Sequence, residues 1–163
     1  MAFIMKGECQ KFLSLGETNK KVEVVYCAKW VGTMATNEKI SKSLKSAITY
    51  LENSIIALNK GDENYLADNI WHVAAELEYM LFLFSLTLQT ECDKSGWKPN
   101  PEPKKFEIGK TLVLVQDLLD KAEKSMVNEE FLDVYRNVYV ARHYIFKIQE
   151  DFARKKREVL RGK

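Results

Sequence analysis

Arg136 and His143 are the two side chains of this 163-residue chain whose types and spacing come nearest to a catalytic pair. They stand seven residues apart in the stretch YRNVYVARHY, and two helical turns place such residues on one face. An imidazole transfers protons near neutral pH, and a guanidinium can hold a phosphate through two parallel hydrogen bonds. Together they would suit cleavage of a phosphodiester without a metal. The competing interpretation, which we favour for a single copy of the chain, is a solvated helix face.

The helix that carries this pair determines which way the pair points. Its apolar positions recur at helical spacing, at Phe131, Val134, Tyr135, Val138, Ile145, Ile148 and Phe152. Arg136 and His143 fall opposite this stripe, so they are expected to point away from a bundle core. Four further apolar residues flank the pair: Tyr139, Val140, Tyr144 and Phe146. A helix this apolar predicts a second partner, either another copy of the chain or the N-terminal segment.

The stretch RNVYVARH resembles the motif of HEPN domains, helical bundles found in prokaryotic toxins and defence nucleases. That motif is an arginine, often followed by a polar residue, and a histidine that comes after four to six intervening residues. Here Asn137 follows Arg136, and six residues separate Arg136 from His143. The resemblance covers mainly residues 111–152. It implies an RNA-binding protein or metal-independent endoribonuclease in which Arg136 and His143 form the RNase pair, assembled across a homodimer.

Two predicted helices form a first hairpin over residues 36–90. The first begins with a polar cap at Thr36 or Asn37 and ends at Gly61, and Asp62 caps the second. The predicted core face of the first comprises Ile40, Leu44, Ala47, Ile48, Leu51, Ile55 and Leu58. That of the second comprises Leu66, Ile70, Val73, Leu77, Met80 and Phe84. The short connection predicts antiparallel packing of the two helices.

A second hairpin is predicted over residues 106–155, after a Pro-rich linker at 91–105. Pro99, Pro101 and Pro103 forbid a continuous helix in that linker, and Trp97 is expected to pin it to the body. The third helix is expected to begin at Lys104 or Thr111 and the fourth near Asn128. The third helix presents Leu112, Val115, Leu118, Leu119 and Ala122. The predicted fold is therefore all-α: one domain over residues 1–163, a four-helix bundle of two antiparallel hairpins.

Residues 1–35 form an N-terminal segment that fits two structures. The stretch KKVEVVYCAKWV alternates β-branched residues and could be a strand paired back on FLSL through GETNK. It could also be a short helix packed on the bundle through Val24, Cys27, Ala28 and Val31. We favour the helix, because an isolated two-stranded hairpin is only marginally stable.

Charge is concentrated at the C-terminus. The last eleven residues carry six cations and one acid, a balance of +5 within a net charge of +2, so residues 1–152 sum to −3. Arg154, Lys155, Lys156 and Arg157, with the basic tail at 156–163, either contact the phosphates of an RNA or form a solvated helix end. Cys9, Cys27 and Cys92 lack paired spacing, and the N-terminus lacks the pattern of a signal peptide. We expect a cytoplasmic protein that does not enter a membrane.

The second helix carries two other groups of residues that could have a function. Asp68, His72 and Glu76 stand at i, i+4 and i+8 and could offer ligands to a metal, but a surface ladder of charge pairs fits better. Trp71, Tyr79 and Phe82 lie off the core stripe, where a dimer contact is the favoured interpretation over a ligand pocket. The sequence predicts neither a metal nor a cofactor. The leading hypothesis is a non-catalytic helical protein that acts through homodimerisation and partner interaction.

Overall fold

The computed structural model of the protein describes residues 29–30, 32–89 and 106–162. It contains four long helices, α1 (Met34–Lys60), α2 (Glu63–Thr87), α3 (Ile108–Val127) and α4 (Phe131–Arg161). Two strands of two residues each, β1 (Lys29–Trp30) and β2 (Leu88–Gln89), complete the described elements. The predicted all-α four-helix bundle is confirmed. Among the described helices, none has the length and apolar character needed to cross a membrane.

Each helix packs against two neighbours, in the cyclic order α1, α2, α4, α3. The side chains that meet show that neighbours run antiparallel. Between α1 and α2, Ser43 meets Glu76 and Tyr50 meets His72. Between α2 and α4, Glu78 meets Arg142 and Phe84 meets Tyr135. The helices on the diagonals are therefore parallel, so α2 ends and α3 begins at opposite ends of the bundle.

The turn between α1 and α2 is built by two local signals that the sequence predicted. Gly61 caps the end of α1 with φ of 71°, a left-handed conformation that glycine adopts without a Cβ penalty. The Asp62 carboxylate accepts a hydrogen bond from the Tyr65 backbone N–H at 3.0 Å and caps α2. The predicted start of α1 was wrong by a few residues. Thr33 supplies the N-cap, and its hydroxyl accepts from the Thr36 N–H at 3.2 Å.

The predicted starts of α3 and α4 also need correction. Helix α3 begins at Ile108, between the two predicted positions. Asn128, which was predicted to begin α4, instead ends α3, because its N–H bonds back to the Lys124 carbonyl and the following Glu129 N–H bonds to the Met126 carbonyl, each at 3.2 Å. Glu129 then takes φ of 59°, which interrupts helical geometry, and α4 begins at Phe131. Helix α4 continues to Arg161. The predicted basic tail is therefore helical from residue 156 to residue 161, and its side chains there are exposed.

The core runs along the inner faces of all four helices. All six residues predicted for the core face of α2 are buried. Of the seven predicted on α1, four are buried, and Ile48, Ile55 and Leu58 are partly buried against the core. The corresponding buried residues of α3 and α4 are Leu112, Val115, Leu119, Ala122, Val134, Val138, Ala141, Ile145 and Ile148. Apolar burial of this kind is the main stabilising term of a helical bundle.

The end of the N-terminal segment differs from the favoured interpretation. Lys29 and Trp30 are extended, and they pair antiparallel with Gln89 and Leu88. At these two residues the helix prediction is wrong, because backbone at the end of α2 supplies hydrogen-bond partners that are distant in sequence. The proposed pairing with FLSL, the Pro-rich linker with Trp97, and the three cysteines lie outside the described residues.

Candidate functional site

Arg136 and His143 both lie on the exposed side of α4, so their predicted orientation away from the core is confirmed. The Arg136 guanidinium is held within its own helical turn, where Nη1 lies 3.3 Å from Oδ1 of Asp133. Asn137, the polar residue of the motif, donates its side-chain amide to the Asp133 carbonyl at 2.8 Å. His143 lies edge-on to Tyr144, with ring centroids 6.2 Å apart. Within one protomer the arginine is thus paired with a carboxylate, two helical turns from the imidazole.

The basic end of α4 is partly neutralised by Asp151. This carboxylate is buried and forms ion pairs with Arg154 and, at 3.0 Å, with Lys155. Arg157 donates from Nε to the Ala153 carbonyl at 3.3 Å, and Lys156 is exposed. Of the four cations predicted to bind nucleic acid, two therefore already have a carboxylate partner. A phosphate would have to compete with Asp151 for them.

A groove of about 410 Å³ lies between the start of α3 and the last turns of α4. It is lined by Phe106, Thr111, Tyr144, Lys147, Glu150, Asp151, Arg154 and Arg157. Two acids and three cations line it, and the Thr111 hydroxyl donates a hydrogen bond to the Glu107 carbonyl at 2.9 Å. This mixture of charge gives the groove no strong preference for an anion or a cation.

The polar ladder on α2 is a set of structural contacts. The His72 ring stacks on Tyr50 of α1, with centroids 4.6 Å apart, and its Nε2 lies 3.8 Å from the Asp68 carboxylate. Glu76 turns toward α1 instead and accepts a hydrogen bond from the Ser43 hydroxyl. Glu76 therefore points away from the Asp68–His72 pair, and no cluster of metal-ligating side chains occurs within the described ranges. We interpret this ladder as a clamp between α1 and α2.

An apolar exposed surface lies on the side of α2 opposite the core. We call Trp71, Ala75, Tyr79, Phe82 and Leu86 the α2 outer face. Trp71, Phe82 and Leu86 are 62%, 56% and 65% exposed, and Tyr79 and Ala75 are also exposed. Since the opposite side of α2 is buried in the core, the helix is apolar on two faces. In a soluble protein such a helix is usually covered on both of them.

Two aromatic residues of α4 extend this surface across the α2–α4 contact. Tyr139 and Phe146 are each a little under half exposed. Between them Arg142 donates from Nε to the Glu78 carboxylate of α2 at 2.5 Å, and its guanidinium lies 5.4 Å from the centre of the Phe146 ring. We call the α2 outer face together with Tyr139 and Phe146 the aromatic patch.

Sequence reasoning identified most of the aromatic patch, since Tyr139 and Phe146 were also noted as apolar residues beside Arg136 and His143, but it missed two members. Trp71, Tyr79 and Phe82 were singled out because they lie off the core stripe, and all three are exposed. Ala75 and Leu86 were missed, although both belong to the same helical face and spacing would have found them. The Glu78–Arg142 bond joins residues 64 positions apart, so no local pattern could indicate it.

Comparison with known proteins adds no relative to this description. No protein-family model matches the chain, and the searches of curated proteins and of solved structures likewise found no match. A functional assignment therefore rests on the fold and on the surface it presents.

Proposed function

We propose that this protein is a non-catalytic helical interaction module, and that it acts as a homodimer joined through the aromatic patch. The observation that supports this most directly is the second apolar face of α2. Its core face is complete within one protomer, so the exposed tryptophan, tyrosine, phenylalanine and leucine contribute little to the fold of a single copy. Exposed apolar surface of this kind is typical of protein–protein contacts.

The size of the patch suits a small dimer interface. It holds six large side chains, each about half exposed. At about 200 Å² for a large side chain, they offer on the order of 600 Å² per copy. Stable interfaces of standard size remove about 800 Å² per partner. Neighbouring residues at the rim would supply the remainder.

The charge of the chain does not oppose a second copy as the partner. Glu78 and Arg142, near the centre of the patch, neutralise each other in an ion pair. The chain as a whole carries a net charge of only +2, so long-range repulsion between copies is weak. The aromatic patch therefore presents apolar surface without a net charge to oppose self-association.

The test is the molar mass in solution, measured by light scattering after size exclusion and by sedimentation across a wide range of protein concentrations. We expect a dimer for the natural chain and a monomer for Phe82→Glu, because a carboxylate would be desolvated at the interface. Val113→Glu is the matched control: Val113 is also about half exposed, but it lies on α3, diagonally across the bundle. A monomeric natural chain, or a Phe82→Glu variant that remains dimeric, would contradict the proposal.

A second candidate is an RNA-binding protein or metal-independent endoribonuclease of the HEPN kind. Its support is the exposure of Arg136 and His143 on α4 and the cationic last turns of that helix. Cleavage of single-stranded RNA in EDTA should disappear in His143→Ala and persist in His72→Ala, which changes the only other histidine. Equal cleavage by both variants and the natural chain would indicate a contaminating nuclease.

Binding of RNA by the basic end of α4 is tested separately from cleavage. The combined substitution Lys156→Gln and Arg157→Gln removes two cations and leaves the ion pairs of Asp151 intact. If this end binds phosphates of a single strand, affinity falls and its dependence on salt becomes shallower. The logarithmic slope should decrease by about 0.7 for each phosphate that the variant no longer neutralises. An unchanged slope would leave these side chains as a solvated helix end.

A further inference from the structure

The residues of the aromatic patch on α2 lie at equal distances along the helix on either side of one point. On α2 the midpoint between Trp71 and Leu86 falls at Glu78 and Tyr79, and the midpoint between Ala75 and Phe82 falls at the same place. Trp71 and Leu86 mark the two ends of the stripe. Ala75, the smallest member, and Phe82, one of the largest, lie equally far from the centre on opposite sides.

The aromatic residues of α4 share this centre. Tyr139 and Phe146 lie three and four residues to either side of Arg142. Arg142 is bonded to Glu78, so the midpoints of the two helical stripes lie at the same height along the bundle. Since α2 and α4 run antiparallel, Tyr139 lies toward the Phe82 end and Phe146 toward the Ala75 end.

We propose that two copies pair about a two-fold axis that passes over α2, at right angles to the helix, at the level of Glu78 and Tyr79. The axis lies in the plane of the interface, so α2 packs antiparallel to α2 of the partner. This arrangement rests on the proposed homodimer and specifies its geometry. In an isologous contact the two-fold rotation brings residue i against residue j of the partner and residue j against residue i. A stripe whose residues lie at equal distances on either side of one point can therefore pack against a second copy of itself.

The contacts of this dimer follow from the rotation. Ala75 receives the partner's Phe82, so a small residue faces a large one on both sides of the axis. Trp71 lies against the partner's Leu86, and Tyr79 meets the partner's Tyr79 beside the axis. On the flanking helices Phe146 approaches the partner's Tyr139. The two Glu78–Arg142 pairs sit near the axis, where each carboxylate is already neutralised by its own protomer.

Parallel packing of the two α2 helices would fit the same side chains less well. Each residue would then face its own counterpart, so Phe82 would meet the partner's Phe82 and Ala75 the partner's Ala75. Two phenylalanines at one level and two alanines at another produce crowding and a void, and both are unfavourable in closely packed interfaces. Size complementarity therefore selects the antiparallel arrangement.

Cysteine cross-linking tests the register directly. In full-length protein with Cys9, Cys27 and Cys92 replaced by serine, single cysteines are introduced by Tyr79→Cys, Ala75→Cys or Phe82→Cys. A disulfide needs Cα atoms about 4.4–6.8 Å apart. Tyr79→Cys should cross-link to itself beside the axis. The two introduced cysteines of an Ala75→Cys dimer would lie about 10 Å apart along the helix, and the same holds for a Phe82→Cys dimer. Neither variant should therefore form a disulfide with a second copy of itself. A mixture of Ala75→Cys and Phe82→Cys chains should form the mixed disulfide.

The outcomes separate this inference from the proposed homodimer. A cysteine-free chain that is monomeric in solution overturns both. A dimer in which Ala75→Cys and Phe82→Cys each cross-link to themselves, and do not form the mixed disulfide, overturns the antiparallel geometry and leaves the homodimer standing. A dimer in which none of these cysteines cross-links also overturns the geometry.

A size exchange provides a second measurement that needs no disulfide. Ala75→Phe crowds the site of the partner's Phe82, and Phe82→Ala empties it, so each alone should raise the dimer dissociation constant about tenfold or more. The double variant restores one large and one small residue at each contact, and we expect it to recover most of the lost affinity. Purely additive losses in the double variant would overturn the proposed pairing.

Discussion

Phe82 and Phe84 lie two residues apart on α2, and replacing each by alanine should affect a different property of the protein. Phe84 is fully buried and lies edge-on to Tyr135, with ring centroids 5.7 Å apart. Phe82 is 56% exposed on the other side of the same helix. We expect Phe84→Ala to weaken the protomer and Phe82→Ala to weaken the dimer.

The magnitudes follow from the burial of each ring. Removal of a buried phenylalanine costs about 3–5 kcal/mol of unfolding free energy, to which the lost ring pair contributes about 0.5–1.5 kcal/mol. For Phe82, half buried in the protomer, the cost is roughly 1 kcal/mol or less. With a urea dependence of about 2 kcal/mol per molar, Phe84→Ala lowers the unfolding midpoint by about 2 M and Phe82→Ala by about 0.5 M.

The assay is urea unfolding followed by helical circular dichroism at a low and a high protein concentration. Because dimerisation stabilises the folded state by mass action, the midpoint of the natural chain should rise with concentration. That rise should persist in Phe84→Ala and become smaller in Phe82→Ala, whose dimer dissociates more readily. A Phe82→Ala variant that loses as much stability as Phe84→Ala at every concentration would refute the reasoning, since Phe82 would then be packed inside the protomer.

Substitutions at three further positions test individual features of the bundle. Gly61→Ala places a Cβ at φ of 71° and should lower the unfolding free energy by about 1 kcal/mol, whereas Gly61→Asn should cost less, because asparagine tolerates this conformation. Gln149→Leu should raise it by about 1 kcal/mol, since the buried Gln149 Nε2 has no hydrogen-bond partner among the described residues; no gain in the urea midpoint would contradict this. Burial, and secondly the nearby Tyr139, raises the pKa of Tyr135 above its ordinary value, so the folded state retains this proton more strongly. The resulting stability is complete below the unfolded pKa of about 10 and is lost as pH rises through the folded pKa. Tyr135→Phe should therefore lose less stability than the natural chain between about pH 9 and pH 12, and parallel losses would contradict the assignment.

The core of the bundle could be predicted because its signals are local and periodic. Every residue expected on the core face of α2 is buried, since a 3.6-residue period places those positions on one stripe in any bundle. The Gly61–Asp62 turn followed from the same kind of local preference. Buried Ser54 and Asn69 were not predicted, because each meets its hydrogen-bonding need within its own helix. Ser54 donates to the Tyr50 carbonyl at 2.8 Å, and Asn69 donates to the Tyr65 carbonyl at 2.7 Å.

Helix boundaries were predicted less well than helix faces. Asparagine is a preferred N-cap residue, yet Asn128 ends α3. The turn to α4 is completed by Glu129, which adopts a left-handed conformation. Cap preferences of this kind differ by about 1 kcal/mol, and the packing of the two helices against each other outweighs them. Lys29 and Trp30 show the same limit, since their strand partners Gln89 and Leu88 lie at the far end of the first hairpin in sequence.

The sequence by itself determined which residues form helices and which side of each helix is apolar, because both follow from propensity and periodicity along the chain. It also determined that Arg136 and His143 point away from the core. Only the tertiary structure decided what those outward faces meet. It turned Glu76 toward Ser43 and joined Glu78 to Arg142 across the α2–α4 contact. Such contacts depend on which helices become neighbours and on the relative position of those helices along the bundle axis. Both are fixed only when all four helices pack around one core.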